Sequence, residues 1–238
     1  MKTVTGPGVV FRSEAPRLLL AVTLAAIAGW VDAVGYLHFA HLFVSFMSGN
    51  STIFGVEVGG GNWTAAITPV LAIAAFVFGS FLGTLTAAVT GRWRMPAILA
   101  LEAVLLALAL ALPRSSGVLA PPLVPIAVAM GAQNAALQHV GRISVSLTYV
   151  TGALVKLGQS LAEAILGRSG RWTWSLYAVM WLGLTLGAIG GAVAYKRIDY
   201  DGALMAPAIV LASLSLSATL WILVAGRSRN QAAKRTFR

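Results

Sequence analysis

Cysteine is absent from the 238 residues, which excludes disulfides, thiol catalysis and cysteine-ligated metals and leaves the redox compartment open. Charge is scarce as well. Charged residues make up 10% of the chain and hydrophobic ones 58%, against roughly 25% charged in an average soluble domain. So few charges cannot cover a water-soluble surface. The same composition excludes disordered, collagenous and coiled-coil chains. There is no Walker loop, no Gly-x-Ser-x-Gly elbow and no His-Glu-x-x-His pair. An ATP-driven pump or a hydrolase of familiar type is therefore not expected.

What remains is an integral membrane protein with nearly its whole chain in the bilayer. Apolar runs fall at about residues 17–38, 64–90, 95–112, 118–140, 172–195 and 203–225, most of them near the ~20 residues a hydrocarbon core requires. Two further runs, 42–58 and 144–166, are interrupted by Ser, Thr, Gly, Asn and charges. The net charge of +10 lies in short loops and at both ends of the chain. That is the pattern of basic residues held on the cytoplasmic side, and no nucleic acid is expected. Residues 1–28 resemble a signal peptide up to Ala26-Ile27-Ala28. The apolar character continues past that point, and the segment has a counterpart later in the chain, so it is read as part of the fold.

That counterpart belongs to a tandem duplication. Gly29-Trp30-Val31-Asp32-Ala33 aligns with Gly131-Ala132-Gln133-Asn134-Ala135, and Met47-Ser48-Gly49-Asn50 with Val150-Thr151-Gly152-Ala153. Gly55 pairs with Gly158, Asn62-Trp63-Thr64 with Arg171-Trp172-Thr173, and Gly79/Gly83 with Gly187/Gly191. Last, Met95-Pro96-Ala97-Ile98 aligns with Met205-Ala206-Pro207-Ala208-Ile209. Each half has a long span, a broken segment, a Gly-bearing span and a Pro-started span. The expected layout is a cytoplasmic tail at 1–16, repeats at 17–113 and 114–225, and a basic cytoplasmic tail at 226–238.

If the broken segments cross the membrane, there are eight spans, 4 + 4 in parallel. If they enter and return on one side, there are six, and the second half is inverted. With six, and with Lys156 left out because it lies within a broken segment, thirteen basic residues lie inside and only Arg114, Lys196 and Arg197 outside. The distribution favours six spans with inverted repeats.

Ionisable groups in a bilayer are costly and face protein, water or a partner. Asp32 with its counterpart Asn134, Ser48-Gly49-Asn50, Thr151-Gly152 and Lys156 are the candidates for a solute path. Duplicated transporters build their sites from interrupted helices at the repeat interface, where glycine tolerates the break. Lys156 is read as the counter-charge of Asp32 or of an anionic solute. Glu102, Gln133, Gln138 and His139 are secondary candidates. The competing reading is that these polar groups only hold helices together. The GxxxG pairs are read mainly as packing, with a homodimer through those faces as an alternative. Trp63, Trp93, Trp172 and Trp174 are read as interfacial anchors. The three histidines lack ligand spacing, so no metal is expected, and no cofactor.

Ala28-Gly29-Trp30-Val31-Asp32-Ala33, followed by Phe43-Val44-Ser45-Phe46-Met47-Ser48-Gly49-Asn50, resembles the YoaK-like family of bacterial inner-membrane proteins, which share a domain of unknown function. The resemblance covers about Arg17 to Ala225. Asp32, Gly49 and Asn50 match the family pattern, with Ser48 in place of its threonine. It implies a compact polytopic protein of the bacterial inner membrane and supplies no substrate. The expected function is a small secondary transporter or channel-like permease for a small polar or ionic solute, proton-coupled through Asp32. The alternatives are a non-transporting assembly or regulatory subunit and a lipid-modifying membrane enzyme.

Overall fold

The structure is a computed structural model. It describes the backbone of residues 7–113, 120–136, 139–140, 143–144, 150–168 and 173–236, and side chains within 16–113, 120–136, 150–168 and 173–225. Among the described residues the chain is helical apart from one short strand pair. The helices are α1 (Pro7–His38), α2 (Met47–Gly59), α3 (Trp63–Thr90), α4 (Arg94–Ala111), α5 (Leu123–Gln133), α6 (Val150–Ile165) and α7 (Thr173–Thr236). β1 (His139–Val140) pairs antiparallel with β2 (Ile143–Ser144).

Local chemistry sets the breaks. Asn62 caps α3 by accepting the Ala65 N–H, and Gly60–Gly61 form the tight turn that folds α2 back on it. Gly91 (φ 52°) and a short 3-10 turn separate α3 from α4. α7 is two helices joined across a break. Ile198 leaves helical geometry (φ −131°, ψ 18°), and Asp199 is left-handed (φ 59°, ψ −176°), a region that disfavours a residue with a Cβ. The limbs on either side, residues 173–197 and 200–236, double back on one another.

Glycines fix how the helices meet. A Cβ on Gly29 would strike the Leu184 carbonyl and crowd Ala188, one on Gly187 would strike Ala26, and one on Gly191 would strike Trp30. In the same manner Gly131 lies on Phe76 and Ser80, Gly79 on Val128, and Gly83 on Ala132, whose carbonyl oxygen would be 2.7 Å from an added Cβ. Contacts advance together along each pair, so α1 runs parallel to the first limb of α7, and α3 runs parallel to α5. The glycine faces that suggested a dimer are therefore filled within one chain.

The ends of the bundle follow from two contacts. His38, closing α1, stacks on Tyr200 at the start of the second limb (ring centroids 4.0 Å). Ser215, fifteen residues further on and roughly 22 Å along a helix, donates to the Pro96 carbonyl at 2.8 Å. Pro96 follows directly on the C-terminal end of α3. The C-terminal ends of α1 and α3 thus lie at opposite ends of the bundle.

Leu24, Ala28 and Val31 of α1, Ile98, Leu99 and Leu106 of α4, Ile126 and Met130 of α5, and Leu204 and Leu211 of α7 are buried together. The perimeter is apolar instead of polar: Val77, Phe78, Phe81 and Leu85 of α3 and Leu186, Ile189 and Val193 of α7 are exposed. An exposed apolar perimeter requires a hydrocarbon solvent. Three stretches are long and apolar enough to cross a membrane, Pro16–His38, Trp63–Ala111 and Thr173–Ala225, and the last two are each folded at a break. The chain is a multi-pass membrane protein.

One sequence expectation changes. The run at 118–140 yields only the 11 residues of α5, about 17 Å of helix. Pro121 and Pro122 delay its start, and polar Gln133 and Asn134 end it. Nearly every residue of α5 is buried by protein, which relieves it of the length a lipid-exposed span needs. α1 itself begins at Pro7, and its apolar stretch runs from Pro16 to His38.

Candidate functional site

Phe39–Phe46, the segment after α1, turns back toward the middle of the bundle. It passes so close to α1 that a Cβ on Gly35 would lie 2.9 Å from Val44 Cγ1. Asp32 holds it there. One carboxylate oxygen accepts the Val44 and Ser45 N–H groups (2.8 and 2.7 Å), and the other accepts the Ser45 hydroxyl. Asn50 clamps the same turn from its far side, accepting the Phe43 N–H at 3.0 Å and donating to the Phe43 carbonyl at 2.7 Å. Both devices satisfy backbone groups that non-helical geometry at membrane depth leaves without partners. Gly49 leaves room for the rings of Phe43 and Phe46, which a Cβ would meet at 2.8 and 2.6 Å.

Beside this turn lies a cavity of about 540 Å³. Gly29, Asp32, Ala33, Tyr36 and Leu37 of α1 form one wall, and Leu184, Ala188, Ala192 and Lys196 of α7 form another. Both sets repeat at three to four residues, so each is a single helix face. Phe43, Ser45 and Phe46 reach it just ahead of α2, and Val150 and Thr151 from the first turn of α6. The starts of both interrupted segments therefore meet at one place. Its polar groups are Asp32, Ser45, Tyr36, Thr151 and Lys196, set in an otherwise apolar and aromatic surface.

Residues 20–217 match the profile of a family described as "Protein of unknown function (DUF1275)". The chain belongs to this family. UPF0700 transmembrane protein RA0705 of Rhizobium meliloti (strain 1021) is 35% identical over 207 residues, 87% of each chain. UPF0700 transmembrane protein YoaK of Bacillus subtilis (strain 168) is 30% identical over 162 residues, 66% of this chain and 70% of that one. The YoaK-like resemblance seen in the sequence holds. No solved structure matches. The family match runs from α1 into the second limb of α7 and so includes every wall of the cavity.

Of the residues singled out from sequence, Asp32 and Thr151 line the cavity. Asn50 and Gly49 shape the turn behind it. Ser48 is exposed and Gly152 half-buried, both outside the lining. Lys156 is exposed on α6 and does not face Asp32's cavity; the cation there is Lys196. Asn134 donates to the Met130 carbonyl at 3.2 Å. Gln133 is buried and donates to the Leu24 carbonyl at 3.1 Å, tying α5 to α1. Glu102 is wholly buried on α4, and neither carboxyl oxygen has a hydrogen-bond partner among the described residues. Gln138 and the side chain of His139 lie outside the described residues.

Sequence reasoning missed Ser45 as the partner of Asp32, Trp30, whose Nε1 donates to the Ala203 carbonyl at 2.7 Å, and Lys196. A signal for Lys196 was present. Leu184, Ala188, Ala192 and Lys196 recur every fourth residue, which puts the lysine on the small-residue face.

Proposed function

We propose that the chain is a small secondary transporter or channel-like permease for a small polar or ionic solute, built from two inverted repeats. The observation that carries this reading is the cavity at which the starts of α2 and α6 meet Asp32. Sites formed by interrupted segments at a repeat interface are the usual construction of duplicated transporters. The inverted arrangement is supported by the glycine contacts, which map onto one another when the halves are exchanged, and by the opposed ends of α1 and α3. α2, at 13 residues, folds back on α3 through a tight turn at Gly60–Gly61, as a segment that returns on the side it entered does. The layout is then six crossings with two re-entrant segments and both termini in the cytoplasm of the bacterial cell.

Asp32 is the coupling group in this reading. As a carboxylate it accepts three donors and holds the turn closed. A proton on it removes an acceptor position and loosens Val44 and Ser45, so proton binding and movement of the turn are linked.

The test is flux through purified protein in liposomes, read as solute-evoked current and lumenal pH. The panel holds small organic acids, amines, amino acids and inorganic ions. A solute-dependent, pH-dependent flux that Asp32→Asn makes pH-independent is expected. Folded protein without flux for any member of the panel sinks the transport reading.

One observation favours a second reading. Lys156, Gln159 and Glu163 are exposed along α6, a polar stripe suited to another membrane protein. A non-transporting assembly subunit predicts that changes there abolish co-purification of a partner. No lipid chemistry is assigned to the chain.

A further inference from the structure

The cavity beside Asp32 lies along the C-terminal part of α1, from Gly29 to Leu37, between that helix and the stretch from Leu184 to Lys196 in the first limb of α7. The helix contacts that frame it have counterparts residue by residue. Gly29 on Leu184 and Ala188 corresponds to Gly131 on Phe76 and Ser80, Gly187 on Ala26 to Gly79 on Val128, and Gly191 on Trp30 to Gly83 on Ala132. One exchange of the halves accounts for all three.

The same exchange carries the cavity walls to a second location. Asp32 goes to Asn134, Ala33 to Ala135, Ala188 to Ser80, Ala192 to Thr84, Lys196 to Ala88, and Thr151 to Ser48. Because α3 and α5 run parallel to each other, and α3 ends opposite to α1, this second location opens toward the other end of the bundle. Of the described residues there, Ser48, Thr84 and Ala88 are exposed, Ser80 and Asn134 are half-buried, and Ala135 is buried. Thr84 and Ser80 are small and hydroxylated, whereas Val77, Phe78, Phe81, Leu85 and Val89 of the same half of α3 are bulky, apolar and exposed.

We infer that the chain has a second vestibule, lined by Asn134, Ala135, Ser80, Thr84, Ala88 and Ser48, opening on the membrane face opposite to the Asp32 cavity. On the transport reading it takes the same solute and the two vestibules are the ends of one path; the position of the vestibule does not depend on that reading. The second vestibule carries no charge where the first has Asp32 and Lys196. Its neutral hydroxyl and amide groups hold a polar solute more weakly, which suits the releasing end.

The chain has no cysteine of its own, so accessibility is directly measurable. Single variants Ala192→Cys, Thr84→Cys and Ala88→Cys, with Phe78→Cys on another face of α3 as the lipid-facing control, are exposed to a sulfonated maleimide in intact cells and in inside-out vesicles. Ala192→Cys is expected to react from one side only, and Thr84→Cys and Ala88→Cys from the other only, with Phe78→Cys silent from both. The inference is overturned if Thr84→Cys and Ala88→Cys react from the same side as Ala192→Cys, or if neither reacts from any side. Flux is read separately. Opposite-side labelling without flux supports the vestibule and removes the transport reading, whereas flux with same-side labelling does the reverse.

Discussion

Asp32 and Ser45 are joined twice: the carboxylate accepts both the backbone N–H and the side-chain hydroxyl of the serine. Together with the Val44 N–H, these bonds bind the returning turn to α1. Asp32→Ala leaves the donors without a partner and is expected to lower unfolding free energy by about 2–4 kcal/mol. Asp32→Asn keeps an oxygen for the two N–H groups and is expected to cost about 1 kcal/mol. Thermal unfolding in detergent, followed by tryptophan fluorescence, separates the two. Equal losses would mean that the bonds do not set the turn.

Glycine positions divide sharply. Gly79→Ala and Gly187→Ala force a methyl group into the backbone of a neighbouring helix and are expected to abolish monodisperse protein on size exclusion. Gly55→Ala and Gly158→Ala meet nothing within 4 Å. Both are helix-interior positions, so neutrality or a gain of up to about 1 kcal/mol is expected.

Two polar ties on the second limb of α7 act at separate places. Trp30→Phe removes the bond to the Ala203 carbonyl, and Ser215→Ala removes the bond to Pro96. Each is expected to cost about 0.5–1.5 kcal/mol, and the double variant should equal their sum within about 0.5 kcal/mol. A larger combined loss would reveal coupling along the limb.

Glu102 is buried without a hydrogen-bond partner among the described residues. Replacing such a group by an apolar one of similar size is expected to be neutral or stabilising by about 1–3 kcal/mol. Glu102→Leu should therefore hold or raise the unfolding temperature. A drop of several degrees would mean that the carboxyl has a bound water or ion.

The two lysines are expected to behave differently. Lys196→Gln, at the cavity mouth, should change the KM of a charged solute in liposome uptake. Lys156→Gln, on the exposed face of α6, should leave both KM and stability within about 0.5 kcal/mol of the parent. The opposite ranking would put the solute path along α6.

Much of this was legible in one sequence because it rests on composition and local pattern. The scarcity of charge required a bilayer, and the paired motifs around Gly29 and Gly131 anticipated where helices approach closely. Asp32 stood out as a carboxylate in an apolar run. Partners were less legible because they depend on which faces meet. Asn50 looked like a solute ligand and is the clamp of a turn. Lys156 looked like the counter-charge of Asp32, whereas the helical phase of α7 brings Lys196 to the cavity. The run at 118–140 read as a full span because hydropathy reports apolar character and not whether lipid or protein surrounds it.

The interleaving of the helices bears on how the protein is made. α1 finds its close-packed neighbour in the first limb of α7, near the far end of the chain, and α3 finds its own in α5. During synthesis α1 enters the bilayer long before the surface it fits has left the ribosome. It must wait there with Gly29 and Ala26 facing lipid or an insertion factor. Neither half can complete its packing alone, so a helix translated late closes the structure around one translated early. Truncation within the first limb of α7 should accordingly expose α1 to membrane proteases, even though Ala26 and Gly187, which meet there, are 161 residues apart in the chain.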